Sequence, residues 1–441
     1  MKADYRELLR KSGVQEGDFV ELAKNGQSFR GHVLPSADPE TLSLKLHTGY
    51  NMGVRVEAGM ELKKTGEPSA KAGVKSQALK MDVSLPKIVV LHTGGTIASR
   101  VNYSTGGVYA SFSTEDLIAM FPELTRVANF EPRHVANLMS EDMRFSHYKL
   151  MVQAIQAAIR DGAKGIILGH GTDTLTYTSA ALSFALENPP VPVLLVGSQR
   201  SSDRGSSDAA INLLCAAEFI KQTDFAGVAI CMHETSDDQA CVVLPGTKAR
   251  KMHTSRRDAF KAVNDQPIAR VHFNERRVEY LKKDYPRVDK KKPFTVKDGF
   301  EEKVGLLKSH PNMHPEEILF YLEHGFKGLV VEGTGMGHMP TNTPENLPNY
   351  EALKKLIASG CVVVMTAQCL YGRVHPYVYT NLRRLSEIGV VFAEDLLPET
   401  AFVKLAWLLG NFKREEAVKK VPENLRGEIT ASSRIDCFEP E

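Results

Sequence analysis

Residues 87–99, KIVVLHTGGTIAS, and residues 165–174, GIILGHGTDT, decide how this chain folds. Each is a continuous apolar run ending in glycine and threonine. A strand with one wet face alternates apolar and polar residues, whereas a strand covered on both faces reads as an unbroken apolar run. Both segments therefore predict buried strands of a parallel sheet, with functional loops beyond their carboxyl ends. The surrounding period alternates between types. HYKLMVQAIQAAIRDG (147–162) reads as an amphipathic helix that Ser146 can cap. TYTSAALSFALEN (176–188) and DAAINLLCAAEFIKQ (208–222) read as helices, and VPVLLVGS (191–198) and GVAICM (227–232) as strands. Residues 87–269 are thus expected to form one α/β lobe.

Working outward, the alternation resumes after residue 300. HPEEILFYLEHG, GLVVEGTG, YEALKKLIASG, CVVVMTAQ and PETAFVKLAWLLG predict a second, smaller α/β lobe and tail over 301–441. Residues 270–300, rich in charge with scattered aromatics, are expected to connect the lobes; their ERRVEYLKKDYPRVDKKK run reads as a solvated connector, with RNA or partner contact as the alternative. At the other end, GDFVEL, SFRGHVL, TLSLKL and YNMGV are short, partly alternating segments split by Gly, Pro and Asn. They predict a small all-β, barrel-like domain over residues 1–65. The stretch 66–86, GEPSAKAGVKSQALKMDVSLP, has the composition of a linker.

Bulk composition excludes several function classes. The 441 residues carry 55 basic and 53 acidic side chains, a net charge of +2, so the chain as a whole makes no demand for nucleic acid or membrane. Six cysteines at irregular spacings, without CxxC, read as buried thiols in a reducing compartment. The first twenty residues contain no apolar core of a signal peptide, and no segment is long and apolar enough to span a bilayer. A cytoplasmic location is expected. The histidines at 92, 170, 233, 253 and 338 show no metal-ligand spacing, and no metal is expected in this chain; His92 and His170, at strand ends, are expected to be structural.

Neither glycine-threonine loop matches a phosphate-binding fingerprint, and each alone is compatible with a tight turn whose hydroxyl satisfies the backbone. Together they resemble the L-asparaginase family, whose two hallmark loops are of the TGGTIA and HGTDT types. Further matches follow in the family's order: LMSEDM around Ser140, VGSQR followed by DAAINL, KMHTSRRDAF around Lys251, and GLVVEGTGMG in the second lobe. The resemblance spans roughly residues 87–410. It implies an asparaginase-like two-lobe parallel-sheet body and an amidohydrolase with a threonine nucleophile, because a hydroxyl becomes nucleophilic once a neighbouring base takes its proton. By motif, Thr96 is the nucleophile, and Thr172, Asp173 and Lys251 are its activating group, with Lys248 the alternative to Lys251. Ser140 would hold the substrate α-carboxylate and Asp173 the α-ammonium. Backbone amides of the glycine loops, at Gly95 and Gly171, are candidates for oxyanion stabilisation. Tyr109, or alternatively Tyr103, would be the tyrosine of the mobile loop. At Glu141 the family more often has glutamine, a departure that bears on the α-ammonium site.

The β-rich leader fused to this body resembles the archaeal glutamyl-tRNA(Gln) amidotransferase family in its asparaginase-like, ammonia-releasing component. That resemblance implies glutamine or asparagine as amide donor, and a separate tRNA-binding transamidase E subunit. The E subunit would use ATP and magnesium to activate misacylated Glu-tRNA(Gln) and consume the ammonia. No cofactor is expected in this chain itself, and a homodimer is. The helix carrying Trp407 offers either dimer contact or core packing. Two other readings remain at this level, a stand-alone cytosolic L-asparaginase and a non-catalytic scaffold or RNA-binding subunit.

Overall fold

In the computed structural model, which describes residues 4–24, 27–36, 38–46, 51–57, 59–65, 82–94, 99–101, 108–110, 122–200, 207–433 and 435, a short helix α1 (Tyr5–Lys11) precedes five antiparallel strands. These are β1 (Phe19–Lys24), β2 (Gln27–Leu34), β3 (Thr41–Leu46), β4 (Asn51–Arg55) and β5 (Glu61–Lys64), in the order β4-β3-β2-β1-β5. Side chains alternate across a strand, so Val20 and Leu22 of β1 share a face with Leu42 and Leu44 of β3. Tyr5 and Leu9 of α1 cover that face, a helical contribution that the strand-like pattern of the leader does not announce. Charged pairs occupy the exterior, among them Arg30 with Glu21 at 3.0 Å. The end of the linker is fixed to the body, where the Asp82 amide donates to Asn129 Oδ1 at 3.0 Å and Asn129 Nδ2 donates to the Leu85 carbonyl at 3.0 Å.

The body opens with β6 (Lys87–Gly94), followed by the short hairpin β7 (Ser99–Val101) and β8 (Val108–Ala110), then β9 (Asn129–Leu138). Next come α2 (Phe145–Arg160), β10 (Gly165–Gly169), α3 (Leu175–Ala185), β11 (Leu186–Glu187), β12 (Val193–Val196), α4 (Ala209–Gln222), β13 (Val228–His233) and β14 (Ala240–Pro245). A second hairpin, β15 (Ala249–Lys251) and β16 (Phe260–Ala262), precedes β17 (Ala269–His272), β18 (Arg277–Tyr280) and β19 (Thr295–Val296). The large sheet runs β18-β17-β14-β13-β12-β10-β6-β9. From β9 to β13 it is parallel, as the apolar runs imply, and β14, β17 and β18 extend it antiparallel. The apolar runs are buried on both faces, as their pattern requires. Ile88, Val90 and Ile167 pack with Leu213 and Phe219 of α4, while Val89, Leu91 and Leu168 pack with Met151 and Ile155 of α2.

Residues 270–300 depart from the expected connector. Their first part supplies β17 and, at the edge of the sheet, β18, in which Val271 and Val278 reach the core while Arg270 pairs with Glu234 at 2.6 Å. Each strand buries one face only and is four residues long, too short for its period-2 alternation to stand out among the charges. β19 then pairs with β11.

The second lobe contains β20 (Val304–Lys308), α5 (Pro315–Glu323), β21 (Gly328–Gly333), α6 (Leu347–Ala358), β22 (Val362–Ala367), α7 (Thr380–Glu387), β23 (Val391–Phe392), α8 (Pro398–Asn411) and α9 (Arg414–Lys420). Its four strands form a parallel sheet in sequence order. α8 packs between the lobes: Trp407, 2% exposed, stacks on Phe184 of α3 at 5.5 Å and donates its indole N–H to the Lys297 carbonyl at 2.9 Å. Trp407 therefore belongs to the core, not to an open contact surface. Among the described residues no helix is long and apolar enough to cross a membrane. Cys215, Cys231, Cys241 and Cys361 are buried free thiols and Cys369 is an exposed one, while Cys437 lies outside the described residues.

A buried ion pair joins the two lobes. Lys248, at the start of the β15 hairpin, reaches Asp395 of the second lobe at 2.7 Å, and both side chains are fully buried. Burial pushes the lysine below its usual pKa, and the carboxylate opposes that shift. Asp395 also accepts from the Thr430 amide at 3.0 Å, and the Thr400 hydroxyl donates to the Thr247 carbonyl at 3.1 Å. Removing one partner strands the other without solvent, which typically costs roughly 3–5 kcal/mol. Lys248→Met should lower the urea-unfolding free energy by about that amount, and adding Asp395→Asn should restore part of it. Strictly additive losses in this cycle would show that the two groups do not stabilise each other.

Candidate active site

Strands β6 and β10 lie side by side in parallel register, with Leu91 opposite Leu168 and His92 opposite Gly169. Their carboxyl ends therefore deliver the two glycine-threonine loops to one edge of the sheet. The Thr93 hydroxyl donates across the junction to the Gly169 carbonyl at 2.9 Å. Gly94 adopts φ +103°, and a Cβ there would lie 2.3 Å from the Leu138 carbonyl oxygen, so only glycine fits beside β9. Gly95 and Thr96 fall outside the described residues, as does Tyr103. Tyr109 is in β8, its backbone paired with Arg100 of β7.

The second loop is held against the turn that carries Ser140. A Cβ on Gly171 would approach the Ser140 Cβ and Oγ to 2.7 Å, and the Thr174 hydroxyl donates to the Ser140 carbonyl at 2.6 Å. Ser140 is buried and Glu141 is exposed. Thr172 is 7% exposed, whereas the Asp173 carboxylate opens to solvent. Lys251, the last residue of β15, enters from the hairpin and its Nζ donates to Thr172 Oγ1 at 2.9 Å and to Asp173 Oδ1 at 2.7 Å. Lys248 is occupied by Asp395, so Lys251 is the lysine that reaches the threonine. An amine in contact with both a hydroxyl and a carboxylate can receive a proton from one and hold its charge against the other.

Gln199 and Asp208 complete this wall, though the sequence alone assigns them no role. The Thr172 hydroxyl faces Gln199 Oε1 at 3.5 Å, a long contact. Asp208, wholly buried, accepts from the Ser198 hydroxyl at 2.8 Å, from the Gln199 and Arg200 amides at 3.0 and 3.1 Å, and from Asn212 Nδ2 at 3.2 Å. That carboxylate fixes the backbone on which Gln199 stands. The signal is present in VGSQR and DAAINL, but nothing in one sequence relates them in space. Among the described residues no group of three or more His, Cys, Asp or Glu side chains is placed to hold a metal ion.

His170 is buried beside the site. Its Nδ1 lies 2.7 Å from the Gly171 carbonyl, so that nitrogen donates, and Nε2 accepts from the Thr178 hydroxyl at 2.8 Å. Burial lowers its pKa to about 4, against which the Gly171 carbonyl works in the opposite direction. The ring is neutral and shapes the loop.

Residues 87–285 match the family "Asparaginase, N-terminal", residues 303–421 the "Glutaminase/Asparaginase C-terminal domain", and residues 14–64 the "GatD N-terminal domain". Among curated relatives, the D subunit of glutamyl-tRNA(Gln) amidotransferase from Thermococcus kodakarensis is 43% identical, over 99% of this chain and all of that protein. Its counterpart from Pyrococcus furiosus is also 43% identical, over 98% of this chain and 99% of its own. Among solved structures, the thermostable L-asparaginase of Thermococcus kodakarensis superposes with a TM-score of 0.70 at 33% identity, covering 78% of this chain and 100% of that one. L-asparaginase I of Vibrio cholerae gives 0.68 at 28% identity, covering 78% and 99%.

His170 carries a consequence for acid stability. Its folded pKa lies below the unfolded value near 6.5, so the unfolded state binds the extra proton as pH falls through that value, and stability declines until about pH 4. By about pH 5 the loss is about 2 kcal/mol. Urea titrations between neutral pH and pH 5 should show this slope in the wild type and a shallower one in His170→Asn; parallel slopes would remove His170 as its source.

Proposed function

The chain belongs to the family of glutamyl-tRNA(Gln) amidotransferase D subunits, and we propose that it releases ammonia from the amide of glutamine or asparagine for transamidation of Glu-tRNA(Gln) to Gln-tRNA(Gln). The observation that carries this reading is the contact of Lys251 with both Thr172 and Asp173 at the mouth of an asparaginase-type sheet, an arrangement suited to moving a proton. In the proposed reaction Thr96 Oγ attacks the amide carbon, and its proton passes through the Thr172–Lys251–Asp173 group to the departing nitrogen. Ammonia leaves, and water then attacks the threonyl ester to release glutamate or aspartate and restore the hydroxyl. Ser140 would hold the α-carboxylate and Asp173 the α-ammonium, with Glu141 close by on the exposed turn. Amides at Gly95 and Gly171 would face the oxyanion, and Tyr109 would belong to the closing loop.

A tRNA-binding E subunit is the proposed partner, and ATP and magnesium belong to the step that this partner performs. A homodimer in the cytoplasm completes the reading. The alternative, a stand-alone asparaginase, draws support from the likeness to solved asparaginases, which covers 78% of the chain, whereas residues 14–64 match the GatD N-terminal domain.

Two measurements test the proposal. Thr96→Val and Thr172→Val should each reduce hydrolysis by roughly 10²–10⁴-fold or more while the far-UV signal is kept, since the methyl preserves shape and removes the reacting oxygen. Near wild-type turnover by Thr96→Val would exclude it as nucleophile. Separately, the purified chain should hydrolyse glutamine slowly, and adding an E subunit with Glu-tRNA(Gln) should raise the rate. A chain that turns over free asparagine rapidly and ignores both additions is the stand-alone enzyme.

A further inference from the structure

The stretch after β18 is a strongly charged surface that amide hydrolysis leaves unused. Residues 282–292, KKDYPRVDKKK, hold six cations against two carboxylates in a chain whose total is only +2. The stretch is anchored to the body. The Ala226 amide donates to the Pro286 carbonyl at 2.9 Å, the Val288 amide to the Asp224 carbonyl at 3.3 Å, and Lys282 pairs with Asp265 at 2.6 Å. Asp289 closes the loop on itself by accepting from the Lys291 amide at 2.9 Å and lies 3.7 Å from Lys292. Lys283, Lys290 and Lys291 are exposed and form no ion pair among the described residues.

Flat groups accompany the charge. The rings of Tyr280 and Tyr285 stack at 5.0 Å with an interplanar angle of 9°, and the Arg287 guanidinium lies 3.9 Å over Tyr285. Asp224 holds this stack through the Tyr285 hydroxyl at 2.8 Å and Arg287 Nε at 3.1 Å. Two cavities of about 540 and 560 Å³ adjoin across Pro286 and Arg426. The first has apolar walls at Pro190, Pro286 and Phe294, with Arg287, Lys290 and Lys292 among its lining. Carboxylates of an acidic peptide would engage the lysines and leave the flat walls idle. Unpaired nucleotides use both, with phosphates on cations and bases on apolar or stacked faces.

We propose that the groove between residues 282–292 and Arg426 binds an unpaired stretch of RNA, its phosphates on Lys290, Lys291 and Lys292 and a base against the apolar wall. This rests on the functional reading in one respect, that a tRNA-dependent assembly brings RNA to the chain. Because the segment is already tied down, ordering it on binding costs little.

The test titrates the full-length chain with a labelled single-stranded oligoribonucleotide, followed by fluorescence anisotropy at several salt concentrations. Lys290→Glu/Lys291→Glu/Lys292→Glu should weaken binding on the order of tenfold or more and flatten the salt dependence by about 0.7 per lost phosphate contact. Lys354→Glu/Lys355→Glu, on α6 of the second lobe, should leave both unchanged. Absence of binding by the wild type, or equal weakening by the two variants, overturns the proposal. Polyglutamate competing as well as RNA assigns the surface to an acidic protein instead and overturns it too. Glutamine hydrolysis by the triple variant should equal that of the wild type; a wild type without hydrolysis counts against the hydrolase reading alone, so the two failures are distinguishable.

Discussion

The parallel pairing of β6 with β10 is the constraint on which the rest of the site depends. Parallel neighbours end at the same edge of a sheet, so two loops separated by more than seventy residues emerge side by side without any contact between them having to be specified. The Thr93 to Gly169 hydrogen bond then fixes their relative height. Close approach of a third segment follows from glycine. Gly94 accepts the end of β9, and Gly171 accepts the Ser140 turn, each at a distance that a Cβ would forbid. The sheet supplies position, and the glycines supply proximity.

Burying the strands on both faces is what makes this edge rigid. With α2 and α3 on one side and α4 on the other, neither β6 nor β10 can slip register without exposing a whole row of Val, Ile and Leu side chains. Several of the charged groups left inside are matched individually. Asp208 is satisfied by four donors and Glu428 by the Lys404 ammonium at 2.6 Å together with backbone amides. His170 stays neutral, because a charge there would face burial with one carbonyl to offset it.

How much of this is legible in the sequence depends on whether the signal is local. The two loops are local: an apolar run, a glycine and a hydroxyl within ten residues name both a buried strand and its loop, and Thr172, Asp173 and Ser140 appear where those motifs put them. β17 and β18 are hidden, since one-faced strands rich in Arg and Glu look like connector when their single apolar row is two residues long. The α1 helix escapes notice because it is only seven residues, too short for a clear helical period. Partnerships across the lobes are invisible to any window. Lys248 and Lys251 lie three residues apart in the same basic stretch, and only the fold shows that one is neutralised by Asp395 while the other meets Thr172. Gln199 lies within a recognisable motif, VGSQR, yet its facing of Thr172 is a property of β12 lying next to β10.

Those two lysines also link the lobes to the chemistry. β15 runs from Ala249 to Lys251, immediately after Lys248, and its partner strand begins at Phe260, which is wholly buried opposite Lys251. The hairpin is thus held at its base by the second lobe through Asp395 and along its length by the core of the first. A displacement of the second lobe that dragged Asp395 would pull on Lys248 and, through three residues of paired backbone, on the ammonium that contacts Thr172. A buried ion pair contributes little net stability once its desolvation is counted, so what this one supplies is position. It ties the first residue before β15 to the second lobe, while Lys251 itself is placed by its pairing with Phe260 and its contacts with Thr172 and Asp173 in the first.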